Sequence, residues 1–122
     1  MERFRAWIKA SRLPSQTYIA FPILLGQMVA YRVTGSFSWI ALILAQLFGI
    51  FDQLYIVYAN DWADVETDRR NSTYNIFSGG SRVIVEGLLS RRSVGIAAIV
   101  AALLATLTGV GLWVLHGSPL SL

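Results

Sequence analysis

The chain has 122 residues, 55% of them hydrophobic and only 14% charged, against roughly 25% charged in an average soluble domain. That length allows one domain at most, too small to cover long apolar runs in water, and the absence of cysteine excludes a disulfide framework or a thiolate metal site. The net charge of +3 does not point to nucleic acid, because the basic residues gather at the ends of apolar segments.

Residues 1–12 place Phe4, Trp7 and Ile8 on one side of a helix with Arg and Lys elsewhere, the pattern of a short interfacial helix. A first apolar segment covers about residues 13–31 and is interrupted by Gln16 and Pro22. A signal peptide is the rival reading, with Arg3, Arg5, Lys9 and Arg12 as its basic region. No small-x-small cleavage site follows Ala30, which argues against it. A second segment covers about residues 37–58, contains Gln46, Asp52 and Gln53, and is predicted to continue as helix to about residue 70. A third, about 94–115, carries no charge. Each approaches the ~20 residues needed to cross a bilayer as a helix. The expected fold is an all-α, polytopic transmembrane bundle with three spans.

Basic residues sort by segment. Four precede the first span, Arg32 alone lies between the first and second, and Arg69, Arg70, Arg82, Arg91 and Arg92 lie between the second and third. The positive-inside rule then places the N-terminus and the second loop in the cytoplasm, in a multi-pass protein of the inner (cytoplasmic) membrane.

The second span leads into Asn60-Asp61-Trp62-Ala63-Asp64-Val65-Glu66-Thr67-Asp68. At ~100° per residue, Asp64 falls about −60° and Asp68 about −20° from Asp61. Three carboxylates share one stripe with Asn60 beside it, while Glu66, about 140° away, faces water or Arg70. Like charges so spaced repel, and a divalent cation would offset the repulsion. Mg²⁺ takes oxygen ligands, commonly one or two carboxylates with substrate phosphates. A plain solvated helix end is the bland alternative, but acidic residues at a helix C-terminus oppose the macrodipole. An EF-hand loop fails on ligand spacing.

Ser78-Gly79-Gly80-Ser81-Arg82 follows on the same side. Glycines let backbone N–H groups approach an anion, and an arginine can grip phosphate oxygens; the ordinary alternative is a flexible turn. Residues 83–89 are apolar around Glu86 and suggest a short helix. Asp52 lies about 13.5 Å deeper than Asp61 and about 180° around the helix. It is a functional candidate because carboxylates inside a membrane are costly, yet it cannot join the same metal site. Packing against another helix as a protonated or hydrogen-bonded group is its plainer reading.

The pattern Asn60-Asp61-x-x-Asp64-x-x-x-Asp68 at the end of a second span resembles the first aspartate-rich motif of the UbiA family of intramembrane aromatic prenyltransferases. Arg12-Leu13-Pro14 and Phe21-Pro22-Ile23-Leu24-Leu25-Gly26 resemble that family's first helix, with Leu13 inserted between the usual Arg and Pro. The resemblance implies Mg²⁺ on Asp61, Asp64 and Asp68, with Asn60 in support. It implies that Arg82, Arg12 and Ser81 bind the diphosphate of a polyprenyl donor, and that the acceptor is an aromatic ring. The Arg12-Leu13-Pro14 entry and the Ser78-Gly79-Gly80-Ser81-Arg82 loop look more like the menaquinone branch, which prenylates 1,4-dihydroxy-2-naphthoate, than the 4-hydroxybenzoate branch. The family usually has about nine spans and a second aspartate-rich motif. After Asp68 this chain has only Glu86 as an acidic residue. Residues 1–122 are therefore expected to form the N-terminal portion of one such domain, inactive without the further helices. Two other classes compete: a small non-catalytic membrane subunit whose acidic stripe binds a partner, and a transporter fragment using Asp52.

Overall fold

A computed structural model of the chain describes residues 1–71 and 80–116. Five helices follow one another: α1 (Glu2–Ser11), α2 (Leu13–Thr34), α3 (Trp39–Ala63), α4 (Val65–Arg70) and α5 (Arg91–His116). The chain is all-α, with no strand among the described residues. Two helices, Trp39–Ala63 and Arg91–Leu115, are long and apolar enough to cross a membrane. Only 17% of the residues in the most apolar 18-residue stretch of each are buried within the chain, which leaves apolar surface for lipid or other helices. The first expected span forms a helix of 22 residues, but Gln16, Gln27 and Arg32 leave it less apolar than the other two.

α1 carries Glu2 in its first turn and Lys9 in its last, which complements the helix dipole. It ends at Arg12, whose backbone is left-handed (φ 44°, ψ 60°) and whose N–H donates to the Lys9 carbonyl. A non-glycine residue there costs about 1 kcal/mol or more, so neighbouring contacts must hold it. Pro14 falls in the first turn of α2, where its missing N–H is harmless.

The second helix does not run unbroken to residue 70. It stops at Ala63, and Asp64 (φ −88°, ψ 11°) starts α4 as its N-cap residue. The Asp64 and Asp68 amides still reach carbonyls four residues back, at 2.9 and 2.8 Å, so the break is a local bend. Residues 83–89 are not a helix either. They form a series of turns in which the Leu88 and Leu89 amides both donate to the Val83 carbonyl. Gly87, with φ of 71°, takes a conformation that ends helical growth.

The chain divides into two compact units. The first comprises Met1–Leu13 and Leu54–Ala101. Its core joins Ala6 and Ala10 of α1, Val57 and Tyr58 of α3, Val83 and Leu89, and Val94 and Ala98 of α5. The small residues let helices approach closely. Trp7 packs edge-on against Tyr58, with centroids 5.8 Å apart. Phe4 and Ile8 stay exposed, so the expected apolar side of α1 is split: Trp7 turns to the protein and the other two face outward.

The second unit comprises Pro14–Gln53 and Ala102–Leu122. Gln46, which interrupts the apolar run, donates to the Ala20 carbonyl at 3.1 Å. Gly49 allows α2 and α3 to touch; a Cβ there would lie 2.6 Å from Ile23. Gly35 closes α2 with φ of 70°, and Ser38 Oγ accepts from the Ala41 amide at the start of α3. Tyr31, Phe37 and Trp39 form a chain of edge-on ring contacts around this turn, as aromatic residues do at a membrane boundary. Asp52 is half-buried in this unit, whereas Asp61 belongs to the first.

Candidate functional site

The last turn of α3 carries Asp61, which is 4% exposed. A lone carboxylate could not be buried at an apolar helix end without partners. Arg12 donates from Nη2 to Asp61 Oδ1, the Ser81 amide donates to the same oxygen at 3.2 Å, and the Ser81 hydroxyl donates to Oδ2. Ser81 is itself buried. Residues 12, 61 and 81, distant in sequence, are thus tied together by one carboxylate.

Asp68, in α4, is the second buried carboxylate. Burial first, then the charges of Asp61 and Asp64, push its carboxyl above the usual range, against the pull of Arg82 and Arg12. Asp64 and Asn60 are exposed. Glu66 is also exposed and pairs with Arg69 at 3.3 Å, one residue nearer than the expected Arg70. Among the described residues, no three acidic or histidine side chains are gathered closely enough to cage a metal ion.

Gly80 marks where the groups meet. Its φ is 71°, and a Cβ there would lie 2.8 Å from Asp68 Oδ2, 3.1 Å from Asp61 Oδ1 and 3.1 Å from Arg12 Nη2. No side chain fits that point, and two carboxylate oxygens and a guanidinium surround it. The sequence names all three charged residues and marks Gly80 as part of a glycine turn open to an anion, but not as the point packed against those three side chains. Its signal was the Gly-Ser pair beside a basic residue. Ser78 and Gly79 lie outside the described residues.

Arg82 has a left-handed backbone (φ 58°). Its Nη1 donates to the carbonyls of Asp68 at 2.5 Å and Asn71 at 3.4 Å. These carbonyls lie at the end of α4, where helical partners run out. Asp61, Asp68 and Arg82 also line a narrow crevice with Val83, Ile84 and Val85. Lys9 of α1 pairs with Glu86 at 2.5 Å, so α1 is tied to the turns after Arg82 as well as to α3.

Carboxylate oxygens are the ligands Mg²⁺ takes; Asp61 and Asp68 each bring one close to Gly80, and both oxygens of Asp61 are engaged by Arg12 and Ser81. Arg12 occupies the cationic place beside Asp61.

A search of curated proteins and one of solved structures each return no match. The sequence pattern of the UbiA prenyltransferase family matches residues 19–122. That span takes in the acidic motif, the turn at Gly80 and both apolar helices, and the chain belongs to the UbiA prenyltransferase family.

Proposed function

We propose that this chain supplies the donor half-site of a Mg²⁺-dependent prenyltransferase, which moves a polyprenyl group from its diphosphate to an aromatic acceptor. One observation carries the reading: Asp61, Asp68 and Arg12 converge on the point above Gly80, at the end of an apolar helix. Asp61, Asp64 and Asp68 would hold the cation, with Asn60 in support. When bound, Mg²⁺ supplies Lewis-acid stabilisation of the departing diphosphate. Arg12 and the Ser81 N–H would bind phosphate oxygens, in the manner of charge-assisted contacts. Arg82 would hold the α4 end, and so Asp68, in place, with its charge near the phosphates. The apolar helices would keep water from the allylic carbon as its bond to oxygen breaks and its bond to the ring forms.

The acceptor fits the menaquinone branch, 1,4-dihydroxy-2-naphthoate, by the resemblance of the loop. The half-site would lie on the cytoplasmic side of the inner membrane, by the charge bias of the loops. No second acidic cluster lies within residues 69–122, so turnover would need carboxylates from outside them.

Calorimetric binding of a polyprenyl diphosphate to the detergent-solubilised chain tests the reading. Binding should require Mg²⁺ and weaken tenfold or more, about 1.4 kcal/mol, in Asp61→Ala and in Asp64→Ala, with Asp52→Asn unchanged. Metal-independent binding, or dependence on Asp52 alone, would sink it.

A further inference from the structure

A second concave feature lies in the first unit, away from Asp61. It is a cleft of about 380 Å³ lined by Ala59 and Trp62 of α3 and by Arg92, Gly95, Ile96 and Ile99 of α5, among others. Ala59 and Trp62 project about 160° and 100° around α3 from Asp61, so the cleft opens on a different face from the carboxylates. The α5 residues follow at i, i+3, i+4 and i+7, one helical face. They extend about 10 Å down the helix from its first turn.

Its walls are fixed. The Trp62 ring lies against Gly95, where a Cβ would come within 3.0 Å of the indole. Arg91 stacks over the same ring at 4.6 Å and donates from Nε to the Trp62 carbonyl at 3.1 Å. Arg91 is thus engaged in holding Trp62, and Arg92 is the cation of the lining. No carboxylate among the described residues pairs with Arg92, and residues 72–79 and 117–122 contain no Asp or Glu.

An apolar trough with a cation at one end asks for an apolar tail with an anionic head. Arg92 is the second residue of a candidate span that begins at Arg91, so the cation sits at the membrane boundary and the trough runs into the hydrocarbon. The lining has no carboxylate to hold a divalent cation beside a diphosphate. A singly charged phosphodiester needs none.

We propose that this cleft seats an anionic phospholipid of the surrounding bilayer, its phosphate on Arg92 and one acyl chain along Gly95, Ile96 and Ile99 beneath Trp62. A basic residue near a membrane surface is worth about 1 kcal/mol toward an anionic lipid, which is about fivefold in relative association.

Because Trp62 forms a wall, its fluorescence reads the occupant. The full chain is placed in phosphatidylcholine vesicles in which brominated acyl chains are carried either by phosphatidylglycerol or by phosphatidylcholine. The Trp62 contribution is taken by difference from Trp62→Phe. Quenching should show about a fivefold preference for phosphatidylglycerol. Arg92→Gln should remove it, Arg92→Lys should keep it, and Ile96→Phe, at an exposed position, should reduce quenching by both lipids. Equal quenching by the two lipids, or a preference that survives Arg92→Gln, overturns the proposal. So does loss of quenching as chains are crowded in the bilayer, which would make the occupant a second copy. Displacement of the lipid by polyprenyl diphosphate with Mg²⁺ would place the cleft on the donor's path and overturn it too.

Discussion

Asp61 is buried and gives both its oxygens to Arg12 and Ser81. Removing one member of such a set leaves the other charge unpaired, which costs more than the pair contributes. Arg12→Ala should therefore destabilise the chain by about 3 kcal/mol, read as a lowered thermal midpoint, whereas Arg12→Lys should recover part of the loss. Asp68 titrates differently. Its folded carboxyl is raised by burial and by Asp61 and Asp64, so the folded state holds this proton more tightly than the unfolded chain does. Its contribution should favour folding at low pH and turn unfavourable as pH rises from the ordinary carboxylate value through the raised one. Stability in detergent should fall across that window, and Asp68→Asn should flatten that part of the profile. The two buried carboxylates could be read from spacing, because helical rotation brings Asp61 and Asp68 to one side. The partner of Asp61 could not, since nothing in local sequence ties residue 12 to residue 61. Nor did the sequence show Arg82 turning to the carbonyls of Asp68 and Asn71.

The elements were legible where the signal was long. The apolar runs after Trp39 and before His116 set α3 and α5 within a few residues, because hydrophobicity over that length outweighs single polar residues. The bend at Asp64 was not legible: Asp there reads equally as a helix interior or as an N-cap, and its backbone angles decide. The turns at residues 83–89 were missed because an apolar run of that length is ambiguous by periodicity. Gly80 is where the elements meet. Gly80→Ala would combine a positive φ with contacts of 2.8 to 3.1 Å to Asp68, Asp61 and Arg12. It should cost about 1–3 kcal/mol and abolish Mg²⁺-dependent diphosphate binding while circular dichroism still reports the helices. Ala10 is fully buried between α1 and the rest of its core. Ala10→Leu should overpack that contact by about 1–3 kcal/mol and release α1, seen as faster proteolysis after Lys9.

At the scale of the whole molecule, family membership and two apolar helices make this a membrane protein. The proposed side of insertion rests on the charge bias, with Arg32, in the last turn of α2, the one basic residue between the first two apolar runs. The chain has no cysteine, so single introduced thiols report cleanly. Ser36→Cys should be labelled from outside intact cells and Ser90→Cys only after permeabilisation; the reverse pattern would invert the topology and move the acidic motif to the other face. The central claim is that the motif's carboxylates hold a divalent cation in contact with the donor's diphosphate. Mn²⁺ in place of Mg²⁺ makes that contact visible. Electron–nuclear double resonance of the chain with Mn²⁺ and polyprenyl diphosphate should show ³¹P coupling to the metal in wild type, lost in Asp61→Ala and Asp64→Ala. A protein-bound Mn²⁺ signal without ³¹P coupling, or coupling that both variants retain, would contradict the account.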